Sequence, residues 1–180
     1  DHNAFSKWLL GWIAPETVAS VGEAKQVLLR PAAESPDAVM IMPGAQGPFA
    51  EYFLVQNRSR TGNDADLPTD GLLIWHVDAR LTSAGTDFQY NNSTTEHKLL
   101  RLMEADGEEN IETGDGWADA GDFYMPGSVF SPQSFPSSND YNGRYTGVTV
   151  TSITSTGEGY TALFAILPKQ GDINGDGTID

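Results

Sequence analysis

Cysteine is missing from this chain of 180 residues. Its absence excludes a disulfide framework, a thiolate zinc site and a cysteine nucleophile, and it leaves the redox compartment undefined. Basic side chains are scarce as well: 10 Lys and Arg stand against 25 Asp and Glu, for a formal net charge of -15. Phosphate binding draws on a cationic excess, so this balance argues against nucleic acid as a partner. No apolar run is long enough to span a bilayer, and no charged-then-apolar signal segment opens the chain. Because the chain starts at Asp1 rather than Met, the missing signal segment says nothing about secretion. Histidine is limited to His2, His76 and His97, no two of which fall on adjacent turns of one helix. A His-Glu-x-x-His zinc helix is therefore excluded within these residues.

What is present reads as a single mainly β domain with partial ends. Phe5, Trp8, Leu9 and Trp12 recur at helical spacing and Pro15 is a stop signal, so a short amphipathic N-terminal helix is expected. Short runs with strand character follow at 26–29, 39–42, 52–56, 72–77, 99–103, 148–153 and 160–167. Clusters of Gly, Pro, Asn, Asp and Ser separate them, and a β-sandwich is the economical architecture. The 72–77 run is apolar on both faces and predicts a central strand covered on both sides. Ser155-Thr156-Gly157-Glu158-Gly159 would turn the chain into its last strand, making a terminal hairpin. There is no internal repeat. The expected division is 1–15 as a linking helix or the end of a preceding domain, 16–168 as the β domain, and 169–180 as a linker and calcium loop.

Acidic residues gather in two places. At the chain's end, Asp172, Asn174 and Asp176 stand at positions one, three and five of an EF-hand-type loop, with Gly177 for the sharp turn. Thr178 would offer its carbonyl at position seven and Asp180 a bridging water at position nine, while the bidentate carboxylate of position twelve lies beyond the chain. The second gathering is within 104–136, a long segment of little periodicity, where Asp106, Glu108, Glu109, Glu112, Asp115, Asp119 and Asp122 crowd together. Loops of this length inside compact domains are functional, ligand-stabilised or disordered, and Trp117, Phe123, Tyr124, Phe130 and Phe135 argue against disorder. Like charges so close repel unless solvated or bridged by a cation; calcium is the natural bridge, with Asp106, Asp115, Asp119 and Asp122 as candidate ligands. His76 precedes Asp78 by two residues on one strand face, yet no nucleophile accompanies them, and a buried structural histidine is the expected role. His2 and His97 are expected in surface or packing roles.

The terminal loop, a Gly before the first Asp and then Asn-Gly-Asp-Gly, resembles the first half-repeat of a type I dockerin. That resemblance implies attachment of a secreted enzyme to a cohesin-bearing scaffold. Upstream, Ala4-Phe5-Ser6-Lys7-Trp8-Leu9-Leu10-Gly11-Trp12-Ile13 is followed by Glu51-Tyr52-Phe53-Leu54-Val55-Gln56-Asn57-Arg58 and by Gly62-x-Asp64-x-x-Leu67-Pro68. Gly71-Leu72-Leu73-Ile74-Trp75-His76-Val77-Asp78, Glu104-Ala105-Asp106-Gly107, Asp119-Ala120-Gly121-Asp122 and Gly147-Val148-x-Val150 come next. In this order, over roughly 4–167, they resemble the region downstream of the active site in the immune inhibitor A family of secreted zinc metallopeptidases. The resemblance implies a parent whose zinc ligands lie upstream, in a catalytic domain on which this β domain packs. It supplies no catalytic residue here.

Two functions are therefore expected to compete. The first is a noncatalytic C-terminal β domain of a secreted, extracellular, dockerin-bearing metallopeptidase acting on peptide or protein substrates. The second is a glycan- or protein-binding β-sandwich, with Trp117, Tyr124, Tyr141 and Tyr145 stacking on sugar rings if they share one exposed face.

Overall fold

The computed structural model describes residues 1–42, 47–93 and 96–171. Helix α1 spans Ala4–Leu9, and its N-cap Asn3 accepts a hydrogen bond from the Ser6 N–H at 2.8 Å. The strands are β1 (Glu16–Val18), β2 (Ala24–Leu29), β3 (Val39–Ile41), β4 (Glu51–Arg58), β5 (Gly71–Asp78), β6 (Leu100–Leu102), β7 (Val148–Thr156) and β8 (Gly159–Ile166). They form a five-stranded sheet in the order β1-β3-β4-β5-β6 and a three-stranded sheet in the order β2-β8-β7. The result is mainly β and sandwich-like. Helix α1 stops short of Trp12, because Gly11 takes a positive φ of 71° and turns the chain away.

Strand alternation builds the core. Phe53, Val55, Leu72 and Ile74 point from β4 and β5 toward Val148, Val150, Tyr160, Ala162, Phe164 and Ile166 of the smaller sheet. Tyr52, Leu54 and Val77 face the other way and pack with Ala4, Phe5 and Trp8 of α1 and with Phe88 and Leu99. β5 thus lies between β4 and β6 with both faces buried, as its unbroken apolar run predicts. β7 and β8 form the expected hairpin, with Thr156 paired to Gly159. Gly159 is required there, since a Cβ would come within 2.3 Å of the Leu29 carbonyl oxygen. β1 was not foreseen: three residues with only Val18 buried carry too little pattern, and the strand exists through parallel pairing with β3.

The 104–136 segment has little regular structure but is sewn to both sheets. Tyr124 exchanges backbone hydrogen bonds with Leu72 at 2.9 and 3.0 Å, and Phe130 does so with Val150 at 2.8 and 3.0 Å. Both rings are fully buried in the inter-sheet core. Burying each aromatic side chain is worth roughly 1.5–3 kcal/mol, enough to fix two points of a loop that lacks periodicity. Between the end of β6 and Tyr124 lie helix α2 (Asn110–Thr113) and a 3-10 turn at Ala120–Asp122.

Candidate metal centre

Two acidic stretches close on each other where the loop leaves β6. The Ala105 N–H donates to the Asp122 carbonyl at 3.2 Å and the Asp106 N–H to the Gly121 carbonyl at 3.0 Å. The 3-10 turn is capped reciprocally: Asp119 Oδ1 accepts from the Gly121 N–H at 2.6 Å, and Asp122 Oδ2 accepts from the Asp119 N–H at 2.7 Å. Gly121 is needed for this closeness, because a Cβ there would sit 2.1 Å from Asp106 Oδ2. In consequence Glu104, Asp106 and Asp122 each place a carboxylate oxygen within 4.8 Å of the others, and the group could hold a metal ion.

Glu104 and Asp122 are each 1% exposed, while Asp106 opens to solvent. Glu104 accepts backbone N–H groups from Asn110, Ile111 and Glu112 at 2.9, 3.2 and 3.3 Å, and Asp106 Oδ1 accepts from the Glu108 N–H at 3.0 Å. Among the described residues, no group stands in hydrogen-bonding geometry to the buried Asp122 Oδ1, nor to the buried hydroxyl of the neighbouring core residue Tyr124. Among the described residues none of the three carboxylates forms a salt bridge. Burial pushes the Glu104 carboxyl above its ordinary range and the Asp122 charge adds to this, against the pull of the three N–H donors. Burial likewise pushes Asp122 up, reinforced by the charges of Asp119 and Asp106 and opposed by the Asp119 N–H and by a side-chain hydrogen bond with Glu104. The site is short of positive charge and has a buried oxygen unused, which is what a cation would supply and take.

The other acidic residues of the segment are engaged elsewhere. Asp119 sits beside the group as the cap of the turn, and Asp115 is exposed and outside it. Glu109 pairs with Arg101 and Glu112 with Lys98, while Glu108 is exposed. Glu104 was not among the ligands expected; it joins Asp106 through the tight turn closed by the Gly107 N–H on the Glu104 carbonyl at 2.9 Å, which composition alone does not reveal. Asp172, Asn174, Asp176, Thr178 and Asp180 lie outside the described residues.

The histidines do not form a zinc set. His76 is buried and its Nε2 lies 2.9 Å from Glu51 Oε1, so its carboxylate partner is not Asp78. Asp78 instead binds Arg80 and, at 2.6 Å, His97 Nε2. His97 thus has a definite charged partner, more than the packing role expected of it. The acidic trio is the single potential ligand group among the described residues, and its all-oxygen donor set suits a hard cation rather than zinc. Nor do the aromatics make one sugar platform: Trp117 is 90% exposed, but Tyr124 is core and the Tyr141 ring is sandwiched between His76 and His97. Tyr145 is half-buried, its hydroxyl donating to the Pro168 carbonyl at 3.2 Å. No helix among the described residues is long and apolar enough to cross a membrane.

No protein-family model, curated protein or solved structure matches the chain.

Proposed function

We propose that this is a noncatalytic β domain of a secreted, dockerin-bearing zinc metallopeptidase, and that Glu104, Asp106 and Asp122 hold a calcium ion that ties its long loop to the sandwich. One observation carries the reading. Glu104-Ala105-Asp106-Gly107 and Asp119-Ala120-Gly121-Asp122, two of the stretches that bear the family resemblance, fold against each other into a single oxygen-lined site. Calcium takes six to eight oxygens in irregular cages, and three carboxylates with the unused Asp122 Oδ1 provide its anionic ligands. Extracellular calcium sites work at dissociation constants of roughly 0.1–1 mM, which suits a small, partly open site of this kind. The ion's part is structural. Peptide hydrolysis belongs to the parent's upstream zinc domain, on which this domain packs, and scaffold attachment to a cohesin through the complete dockerin.

Two measurements test the two halves separately. A chain ending at Pro168, which lacks the terminal loop, is expected to melt at lower temperature in chelator than in calcium; an unchanged melting curve contradicts the metal site. The reading frame before Asp1 is expected to encode His-Glu-x-x-His within a few hundred residues, and a frame without it contradicts the peptidase parent. The exposed Trp117 favours the second reading, a glycan-binding module. Glycan binding lost on Trp117→Ala would replace the first reading with it.

A further inference from the structure

Rings stack in one column that starts on the paired strands β4 and β5 of the larger sheet. Phe53 on β4 lies 4.4 Å from His76 on β5, His76 lies 4.1 Å from Tyr141, Tyr141 lies 4.0 Å from His97, and His97 lies 3.6 Å from Tyr90. The interplanar angles in the same order are 28°, 10°, 15° and 13°. Tyr141 is the middle ring, held between two imidazoles, and it belongs to the irregular 139–146 segment that precedes β7. Its backbone N–H donates to Glu51 Oε1 at 2.6 Å, the oxygen that also partners His76 Nε2. The segment is compact in itself: Asp140 Oδ1 accepts the Asn142 and Arg144 N–H groups at 2.9 and 2.7 Å. Hollows of about 270 and 640 Å³ share His76 and Asp140 in their walls.

We propose that the 139–146 segment is a strap over the β4–β5 pair, held shut by Tyr141 between His76 and His97 and released by acid. The device is independent of the cation site. Closed, the Tyr141 ring covers one face of His76 while Phe53 covers the other, so the imidazole is removed from water. The groups facing it are Glu51 from β4, Asp78 from β5, Arg101 from β6 and Tyr141 from the strap. Arg80, Asp140 and Arg144 line the smaller hollow with it, and Glu96, His97 and Glu109 the larger. Burial holds His76 below its ordinary value of 6.5; Glu51 and Asp78 pull the other way, and Arg101 adds to the lowering.

The sign follows from that balance. Lifting the strap returns the ring to water, where its proton affinity is ordinary, so the open state binds more protons than the closed one. Closure is therefore complete above about pH 6.5 and weakens as the pH falls below it. Opening would join the two hollows into one groove floored by His76.

Hydrogen exchange of the full chain, read amide by amide, tests this. From about pH 7.5 to about pH 5 the Tyr141 amide is expected to lose about tenfold in protection after correction for intrinsic rate. The Phe130 and Val150 amides, paired with each other's carbonyls in the core, are expected to keep theirs. In His76→Gln, which keeps a hydrogen-bonding side chain but takes up no proton, the Tyr141 protection is expected to lose its pH dependence. Constant Tyr141 protection, or a parallel loss at Phe130 and Val150, overturns the proposal from the wild-type chain alone. A fall retained in His76→Gln overturns it as well, because the proton then lies on a group other than His76.

Discussion

Asp64 and Asp78 are 3% and 0% exposed, and Glu104 and Asp122 are 1% exposed, yet the two pairs shift in opposite directions. Burial would raise all four. At Asp64 it is outweighed by Arg58, whose Nε and Nη2 donate at 2.8 and 2.5 Å. At Asp78 it is outweighed by Arg80 and His97. Glu104 and Asp122 have no such partner and face each other, so their carboxyls stay high. The difference is counter-charge, not burial, and it locates the place in the described core where buried carboxylates lack a cationic partner.

The largest effect expected from this contrast comes from stranding a paired carboxylate. Arg58→Met leaves Asp64 buried without its guanidinium partner, and urea unfolding should show a loss of about 3–5 kcal/mol. A loss below about 1 kcal/mol would mean that the Asp64 pair does not differ from an exposed one. Next comes the gain from filling the unpaired site. Calcium at a hundredfold excess over its dissociation constant should add about 2.7 kcal/mol, seen as a rise of about 5–10 °C in Tm. Gly121→Ala, whose methyl would collide with Asp106 Oδ2, should abolish that rise.

A smaller change is expected from Asp122→Asn without divalent ions. Removing a buried charge that has no partner should be neutral or stabilising by about 1 kcal/mol, the reverse of breaking the Asp64 pair. The smallest effect is in the pH dependence of the metal-free chain. Folded Glu104 and Asp122 hold protons more tightly than unfolded ones, so stability should fall as pH rises from their ordinary values of 4.5 and 3.8 toward the raised folded values. The depressed pair acts oppositely: its contribution is full above 3.8 and is lost as pH falls toward the folded values of Asp64 and Asp78. Calcium should flatten the first slope and leave the second; unfolding followed against pH with and without the ion checks both.

The sandwich was legible because its strands carry period-two or unbroken apolar runs, as in 52–56, 72–77 and 160–167. β1 was hidden because its pairing with β3 is a tertiary fact. The acidic segment raised the expectation of a cation by composition but did not give the residues that converge. Asp115 and Asp119 are as acidic as Glu104, and only the backbone bonds from Ala105 and Asp106 to Asp122 and Gly121 decide which oxygens converge. His76 next to Asp78 looked like a pair, yet β4 brings Glu51 across to His76 and leaves Asp78 to Arg80 and His97. Tyr141 reads in the sequence only as a candidate sugar-stacking ring, and its place between two imidazoles gives no sequence signal, since its neighbours in the column come from other parts of the chain.

Calorimetric titration of the full chain and of Asp122→Asn with calcium, in buffers of different ionisation enthalpy near pH 5, puts the missing-cation claim to its most direct test. The wild-type chain should bind one more ion than the variant and release protons as it does, because the ion displaces protons held by Glu104 and Asp122. Equal stoichiometry in the two chains, with no difference in proton release, would contradict it.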